Sequence, residues 1–178
     1  MDITIKKPSN ATINSIIYVE NVYQGNLGQD SLQSVASIPW VKWMQTWLNS
    51  LSITTELSKD CELSLRLTGD RQIQTLNYQY RFLDKYTDVL AFAATEADIT
   101  IPQDLGEPLY LGDIVISLDT ALRQAKEQKH SLIVELAWLS SHGLLHLLGW
   151  DHPNNDSLQQ MLDKQFELIK LLNLPKKI

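Results

Sequence analysis

Hydrophobic and polar residues follow two different periods along this chain. Leu63, Leu65 and Leu67 alternate with polar neighbours after Cys61, and this period of two predicts a half-buried strand over 61–67. Apolar and β-branched runs predict three further strands, an edge strand at 13–19 and strands at 87–92 and 111–118. Apolar residues at helical spacing predict five helices, at 40–51, 70–80, 120–129, 132–148 and 156–172.

The helix at 132–148 has the most distinctive pattern. Eleven of its seventeen residues are apolar and they spread nearly all round the helix, which is typical of a buried element. Ser131 is suited to cap its start, and Gly149 to end it, because glycine accepts left-handed backbone angles. Asp70 and Asp119 are predicted to cap the helices that follow them.

The order of elements predicts an α+β fold with α/β-like features. A single mixed sheet of about four strands packs with about five helices, and the 132–148 helix is central. Residues 1–30 form a loosely structured leader within which the edge strand begins, and 31–178 form one domain. The three tryptophans of the 40–51 helix share a face with Leu48 and Leu51, so we interpret them as core residues.

Composition narrows the class of protein. Hydrophobic residues are 44% of the 178 and charged residues 20%, as in ordinary globular chains. The single cysteine, Cys61, excludes an internal disulfide and any multi-cysteine metal site. No basic segment with a long apolar run opens the chain and no stretch is long enough to span a bilayer, so we expect a cytoplasmic protein without a membrane partner. The net charge of -6 shows no global preference for nucleic acid.

Three histidines carry the clearest chemical signal. His142 and His146 are four residues apart on the buried helix, so their rings project from one face, and His152 follows Gly149, where the chain can turn back. Three neutral imidazoles with one open position are what catalytic zinc prefers. The spacing therefore predicts one Zn²⁺ per chain, although nickel or copper would also fit. His130 is interpreted as a solvated junction residue.

Metzincin proteases share this histidine spacing, but they place a general-base glutamate directly after the first histidine. That position is Gly143 here, which argues against a peptidase unless a carboxylate reaches the site from another segment. Arg81, one of four arginines, could clamp a phosphate beside a metal. Its alternative role is a surface ion pair with Asp84 or Asp88.

Three blocks of sequence resemble the YbeY family of zinc-dependent endoribonucleases. The first runs from Leu76 to Phe92, the second is Leu111–Ser117 and the third is His142–His152, the most specific of the three. Phe82 stands where the family usually has glycine, Tyr86 where it has proline and Ala91 where it has serine.

The resemblance implies a single-strand-specific, zinc-dependent endoribonuclease that matures the 3′ end of small-subunit (16S) rRNA and acts in ribosome quality control. The metal ligands would then be His142, His146 and His152, the functional arginine Arg81, and the partners single-stranded RNA and the ribosome, with no DNA. Residues 31–178 would form a metallohydrolase domain. The general base stays open: zinc-bound water alone, Asp113 or Asp151 orienting it, or the substrate's 2′-hydroxyl. The alternatives are a ribosome-associated binding factor with a structural zinc, and a metal-dependent hydrolase of another substrate class.

Overall fold

The computed structural model describes residues 13–52, 60–96 and 107–174. The strands in these ranges are β1 (Ser15–Asn21), β2 (Cys61–Thr68), β3 (Val89–Ala93) and β4 (Leu109–Ser117). The helices are α1 (Gln29–Ala36), α2 (Trp40–Ser52), α3 (Asp70–Arg81), α4 (Leu118–Glu127), α5 (Leu132–Leu147) and α6 (Asn155–Leu171), with a short 3₁₀ turn at Ala94–Glu96. The predicted α+β class is confirmed.

The four strands form one mixed sheet in the order β1-β2-β4-β3. β1 pairs with β2 and β2 with β4 in parallel, whereas β3 runs antiparallel to β4. The strand expected at 13–19 is β1, which lies at the edge of the sheet. The division of the chain at residue 30 stays a prediction.

The alternation in β2 separates two faces of the sheet. Cys61, Leu63, Leu65 and Leu67 are fully buried in the main core, which α2, α5 and α6 help to form. On the other face, Ile73 of α3 packs with Leu90 and Val115 in a smaller cluster. The tryptophans of α2 are buried in the main core, as expected for packing residues.

Helix α5 crosses the middle of the molecule and contacts β3, β4, α4 and α6. Gly143 allows the close approach to β4, since a Cβ built there would lie 2.7 Å from Ile114 Cγ2. Ser131 caps the helix by accepting a hydrogen bond from the Val134 N–H. Gly149 follows the C-cap with φ +83°, the left-handed conformation for which glycine is suited. The residue after the first histidine is therefore glycine for a packing reason.

Helix α1 was not predicted from the sequence. Its eight residues have a single buried side chain, Val35, and its N-cap, Gly28, offers no side-chain hydrogen bond. Without an apolar stripe or a capping side chain, neither of the usual sequence signals for a helix is present.

Both predicted aspartate caps were wrong. The N-cap of α3 is Gly69, and that of α4 is Ser117, whose hydroxyl accepts from the Thr120 N–H. Asp70 is instead the first residue of α3, and Asp119 lies within the first turn of α4. Within the described ranges, no helix is long and apolar enough to cross a membrane.

Candidate metal centre and cleft

The three histidines predicted as ligands lie together in the structure. His142 and His146 project from the C-terminal half of α5, and the turn after Gly149 brings His152 back to them. One nitrogen of each ring lies within 4.8 Å of the others, and the Nε2 atoms of His142 and His146 are 3.0 Å apart. Among the described residues, no further histidine, cysteine or carboxylate joins this group.

This donor set fits a zinc ion. Two nitrogens at Zn–N distances of about 2.05 Å in a tetrahedron lie about 3.3 Å apart, close to the spacing of the two Nε2 atoms. Burial lowers the pKa of His142, and the neighbouring histidines lower it further. Burial and the charge of His152 also lower the pKa of His146. Both shifts favour the neutral imidazole, the form that binds metals.

A buried glutamine on α6 contacts the first histidine. Gln165 is fully buried, and its Oε1 lies 3.2 Å from His142 Nδ1. Its Nε2 donates to the carbonyl oxygen of Trp138, one turn earlier on α5, at 3.1 Å. Gln165 was not among the site residues predicted from the sequence. The available signal was a polar side chain on the apolar face of α6, between Met161 and Leu168.

Arg81 lines the same cleft as two of the histidines. It is the last residue of α3, and its Nη2 donates to the Ala91 carbonyl oxygen at 3.1 Å. The cleft has a volume of about 180 Å³, and its lining also includes His142 and His146. The structure thus brings the predicted phosphate clamp and the histidine pair to one concave surface.

The surface ion pair considered as the alternative role of Arg81 is present, but its partner is Glu96 and not Asp84 or Asp88. Arg81 Nη2 lies 3.4 Å from Glu96 Oε2, and both side chains are about half exposed. Asp84 accepts from Gln74 instead, and Asp88 from Gln124. Glu96 also lines the cleft. No periodicity marks this glutamate in the sequence, because its position depends on how the chain turns after β3.

Asp113 and Asp151, the two carboxylates considered for orienting a zinc-bound water, do not line the cleft. Asp113 lines a groove on the opposite side of the sheet, with Tyr18 and Arg66. Asp151 Oδ1 accepts from the N–H of His152 at 2.8 Å. Neither lines the cleft of Arg81 and His146. Among the described residues, Glu96 is therefore the acidic side chain that lines this cleft, and the charges of Asp151 and Glu96 both act on His146.

His130 is not solvated, contrary to the sequence interpretation. Its side chain is 5% exposed, and its Nε2 lies 2.5 Å from Oε2 of Glu135, which is 1% exposed. The two groups join the loop after α4 to the first turn of α5, far along the helix from His146. His130 is not one of the three grouped histidines.

Comparisons with known proteins agree with this arrangement. The model of the family described as Endoribonuclease YbeY matches residues 27–173. An Endoribonuclease YbeY of a Picosynechococcus strain is 48% identical over 153 residues, covering 86% of this chain and 94% of the relative. One from Trichormus variabilis is 52% identical over 141 residues, covering 79% of this chain and 80% of the relative.

A solution structure from Thermotoga maritima has the same fold. It matches with a TM-score of 0.53 and 22% identity, covering 88% of this chain and 89% of that one. An α+β protein in which a histidine cluster and an arginine line one cleft belongs to the class of candidate metallohydrolases. The chain belongs to the Endoribonuclease YbeY family. This confirms the family expected from the three sequence blocks and, with it, the endoribonuclease class of enzyme.

Proposed function

We propose that this protein is a zinc-dependent endoribonuclease that cleaves single-stranded RNA and acts in the 3′ maturation of small-subunit rRNA and in ribosome quality control in the cytoplasm. The observation that carries this proposal is the cleft lined by Arg81, His142 and His146. These two histidines and His152 form a group that no further histidine, cysteine or carboxylate joins among the described residues. A structural zinc site is normally closed by four protein ligands. The three-ligand group therefore favours a catalytic ion over a structural one.

His142, His146 and His152 would hold the ion. When bound, zinc would supply a Lewis acid for a phosphoryl oxygen and would make a water acidic enough to react near neutral pH. The remaining chemistry belongs to side chains of the cleft. Arg81 presents a planar guanidinium, which can bind a phosphodiester through two parallel hydrogen bonds.

Glu96 is the proposed proton acceptor. Its carboxylate forms an ion pair with Arg81. A substrate phosphate that binds the guanidinium would displace this carboxylate, and Glu96 would then lie beside the reacting phosphorus. Water then attacks phosphorus, a P–O bond forms, the ester P–O bond breaks, and the proton of the water passes to Glu96. The leaving oxygen takes a proton from solvent. This carboxylate comes from another segment of the chain, in place of the glutamate that Gly143 excludes from α5.

A metallopeptidase would also need a carboxylate from another segment of the chain. The cleft alone therefore fits both an endoribonuclease and a metallopeptidase. Family membership and the guanidinium of Arg81, which suits a phosphate, favour RNA. A peptide substrate has no anionic group at its reacting centre for Arg81 to bind. Assays on unstructured peptides should therefore show no cleavage under conditions where RNA is cut.

The central test is cleavage of a labelled single-stranded RNA by purified protein, with and without a chelator. His146→Ala and Arg81→Ala should each lower the cleavage rate by at least about 100-fold. Duplex RNA and single-stranded DNA of the same sequence serve as controls. Cleavage that survives both chelation and loss of His146 would contradict the proposal. If chelation unfolds the protein and no condition gives cleavage, the binding factor with a structural zinc is correct.

A further inference from the structure

Gln165 is an unusual residue for the buried face of a helix. It is fully buried, and its neighbours on that face of α6 are Met161, Leu168 and Ile169. Burying a primary amide without hydrogen bonds is unfavourable, because the amide gives up its hydrogen bonds to water. Both ends of the Gln165 amide are bonded to groups on α5. The residue therefore has a defined orientation as well as a defined position.

The orientation of the amide determines which nitrogen of His142 carries hydrogen. The Gln165 NH₂ group is directed at the Trp138 carbonyl oxygen, which can only accept. The amide oxygen, which can also only accept, is then the atom 3.2 Å from His142 Nδ1. Nδ1 must therefore be the donor, and the lone pair of the neutral ring lies on Nε2. That nitrogen is the one 3.0 Å from His146 Nε2, inside the histidine group.

We infer that Gln165 is a positioning residue that holds His142 in its Nδ1–H tautomer and presents Nε2 to a metal ion. This inference rests on the proposed metal site. An outer partner of this kind fixes both the tautomer and the plane of a metal-binding imidazole. His146, in contrast, is hydrogen-bonded to the backbone of Trp150, which is local in sequence. The His142 ligand thus depends on a side chain of a separate helix.

The alternative is that Gln165 only joins α6 to α5. Both roles predict lower stability when the amide is removed, so stability alone does not separate them. The tautomer of His142 separates the two roles. The hydrogen bond to Trp138 uses the amide nitrogen of Gln165, whereas the contact with His142 uses the amide oxygen. A glutamate at 165 keeps an acceptor for Nδ1 and loses the donor to Trp138.

The test measures imidazole ¹⁵N chemical shifts in the metal-free protein and, separately, zinc affinity by competition with a chelator. Wild-type His142 should be in the Nδ1–H form. Gln165→Met, which keeps the length of the side chain, should release the tautomer and weaken zinc binding roughly 10- to 100-fold. Gln165→Glu should keep the Nδ1–H form. Gln159→Met is the matched control on α6, where Gln159 is exposed and bonded to Asp163, and it should change neither reading.

Each outcome decides between the two roles. A Gln165→Met protein that keeps the Nδ1–H form and wild-type zinc affinity, with only a lower melting temperature, would overturn the inference. If that variant does not fold, loss of the Nδ1–H form in Gln165→Glu would overturn it. A wild-type protein that binds no zinc at micromolar concentrations contradicts the proposed metal site instead, while the tautomer in the metal-free protein still tests the role of Gln165.

Discussion

Phe82, the residue after the cleft arginine, has a backbone conformation that does not suit its side chain. It is the C-cap of α3 with φ +58°, and its ring is 86% exposed. The left-handed region costs a residue with a side chain about 1–2 kcal/mol, whereas glycine enters it freely. Glycine, which the family resemblance led us to expect at position 82, would adopt this cap conformation without strain. With phenylalanine at this position the helix still ends in the same cap, but the backbone of Phe82 is strained.

Phe82→Gly should therefore stabilise the protein. The relieved strain of about 1–2 kcal/mol exceeds the extra unfolded-state entropy of glycine, so the net gain should be about 0.5–1 kcal/mol in the free energy of unfolding. Urea unfolding at pH 7 measures it. Tyr78→Gly is the matched control, because Tyr78 is also exposed but lies inside α3, where glycine should cost about 1 kcal/mol. If the Phe82→Gly protein is less stable than wild type, the positive φ of Phe82 does not strain the backbone.

Glu96→Gln tests the proposed proton acceptor. The amide keeps the size of the side chain and can accept a hydrogen bond from Arg81, but it is too weak a base to take a proton from water. We expect kcat for RNA cleavage to fall about 100-fold, with KM and zinc content close to wild type.

The control for this substitution is Glu127→Gln, an exposed carboxylate at the end of α4 that is remote from the cleft lining. It should leave both kinetic parameters unchanged. If Glu96→Gln raises KM and leaves kcat unchanged, Glu96 serves only to hold Arg81, and the proton acceptor is another group.

At the scale of elements, α3 and α4 stabilise each other's first turns. Asp70 on α3 accepts hydrogen bonds from Ser117 and Thr120 at the start of α4, at 2.6 and 2.7 Å. Asp119 on α4 accepts from the Asp70 N–H at 3.0 Å and from the Tyr23 hydroxyl. Each aspartate therefore satisfies groups at the other helix's N-terminus. This exchange fixes the start of α3, the helix that ends at Arg81.

The charge of Asp70 makes this junction sensitive to pH. Burial alone would raise the pKa of Asp70, but hydrogen bonds from Ser117, Thr120 and Arg123, with the charge of Arg123, outweigh it and lower the pKa. A carboxyl whose folded pKa lies below its unfolded value contributes stability above about pH 4, and this contribution is lost as the pH falls through the folded pKa.

Asp70→Asn should lower the free energy of unfolding by about 1–2 kcal/mol at pH 7, because the amide loses the charged contact with Arg123. The difference from wild type should shrink as the pH falls from 5 to 3.5. Urea unfolding across this range measures it, with the exposed Asp163→Asn on α6 as the control. A difference that stays constant with pH would show that the charge of Asp70 contributes nothing.

The sequence predicted elements better than the contacts between them. Alternation in β2 and the apolar surface of α5 are local signals, and the structure has both elements within a residue or two of the predicted bounds. The histidine group was visible because its ligands lie within eleven residues. The roles of Asp70 and Asp119 were not visible, since each capping partner lies about fifty residues away.

The same distinction separates the parts of the candidate site. His142 and His146 share one helix face, so spacing alone placed them together. Glu96 and Gln165 reach the site from β3's end and from α6, and their contacts depend on how separate elements pack. His130 was misjudged for a different reason, because its partner Glu135 is only five residues away but lies beyond the start of α5. Local periodicity carries no information on such pairs.

At the scale of the whole molecule, charge limits how RNA can be held. The chain has a net charge of -6, and residues 61–150 contain twelve acidic and seven basic side chains. The chain as a whole, and this segment within it, therefore repels a substrate polyanion. Binding has to come from Arg81, a bound cation and few further lysines or arginines.

RNA affinity should therefore depend only weakly on salt. Each phosphate neutralised on a single strand contributes about -0.7 to the slope of log K against log salt, so two or three contacts give a slope of about -1.4 to -2.1. Fluorescence anisotropy of a short labelled RNA, with a non-cleavable linkage at its centre and salt varied from 50 to 300 mM, measures this slope. Arg81→Ala should make the slope shallower by one contact. Lys42→Ala should leave it unchanged, because Lys42 is exposed on α2, which packs against β1 at the sheet edge opposite β3. A slope steeper than about -4 would require more phosphate contacts than a bound cation and Arg81, the basic side chain in the cleft lining, can make. Docking would then depend on a partner such as the ribosome.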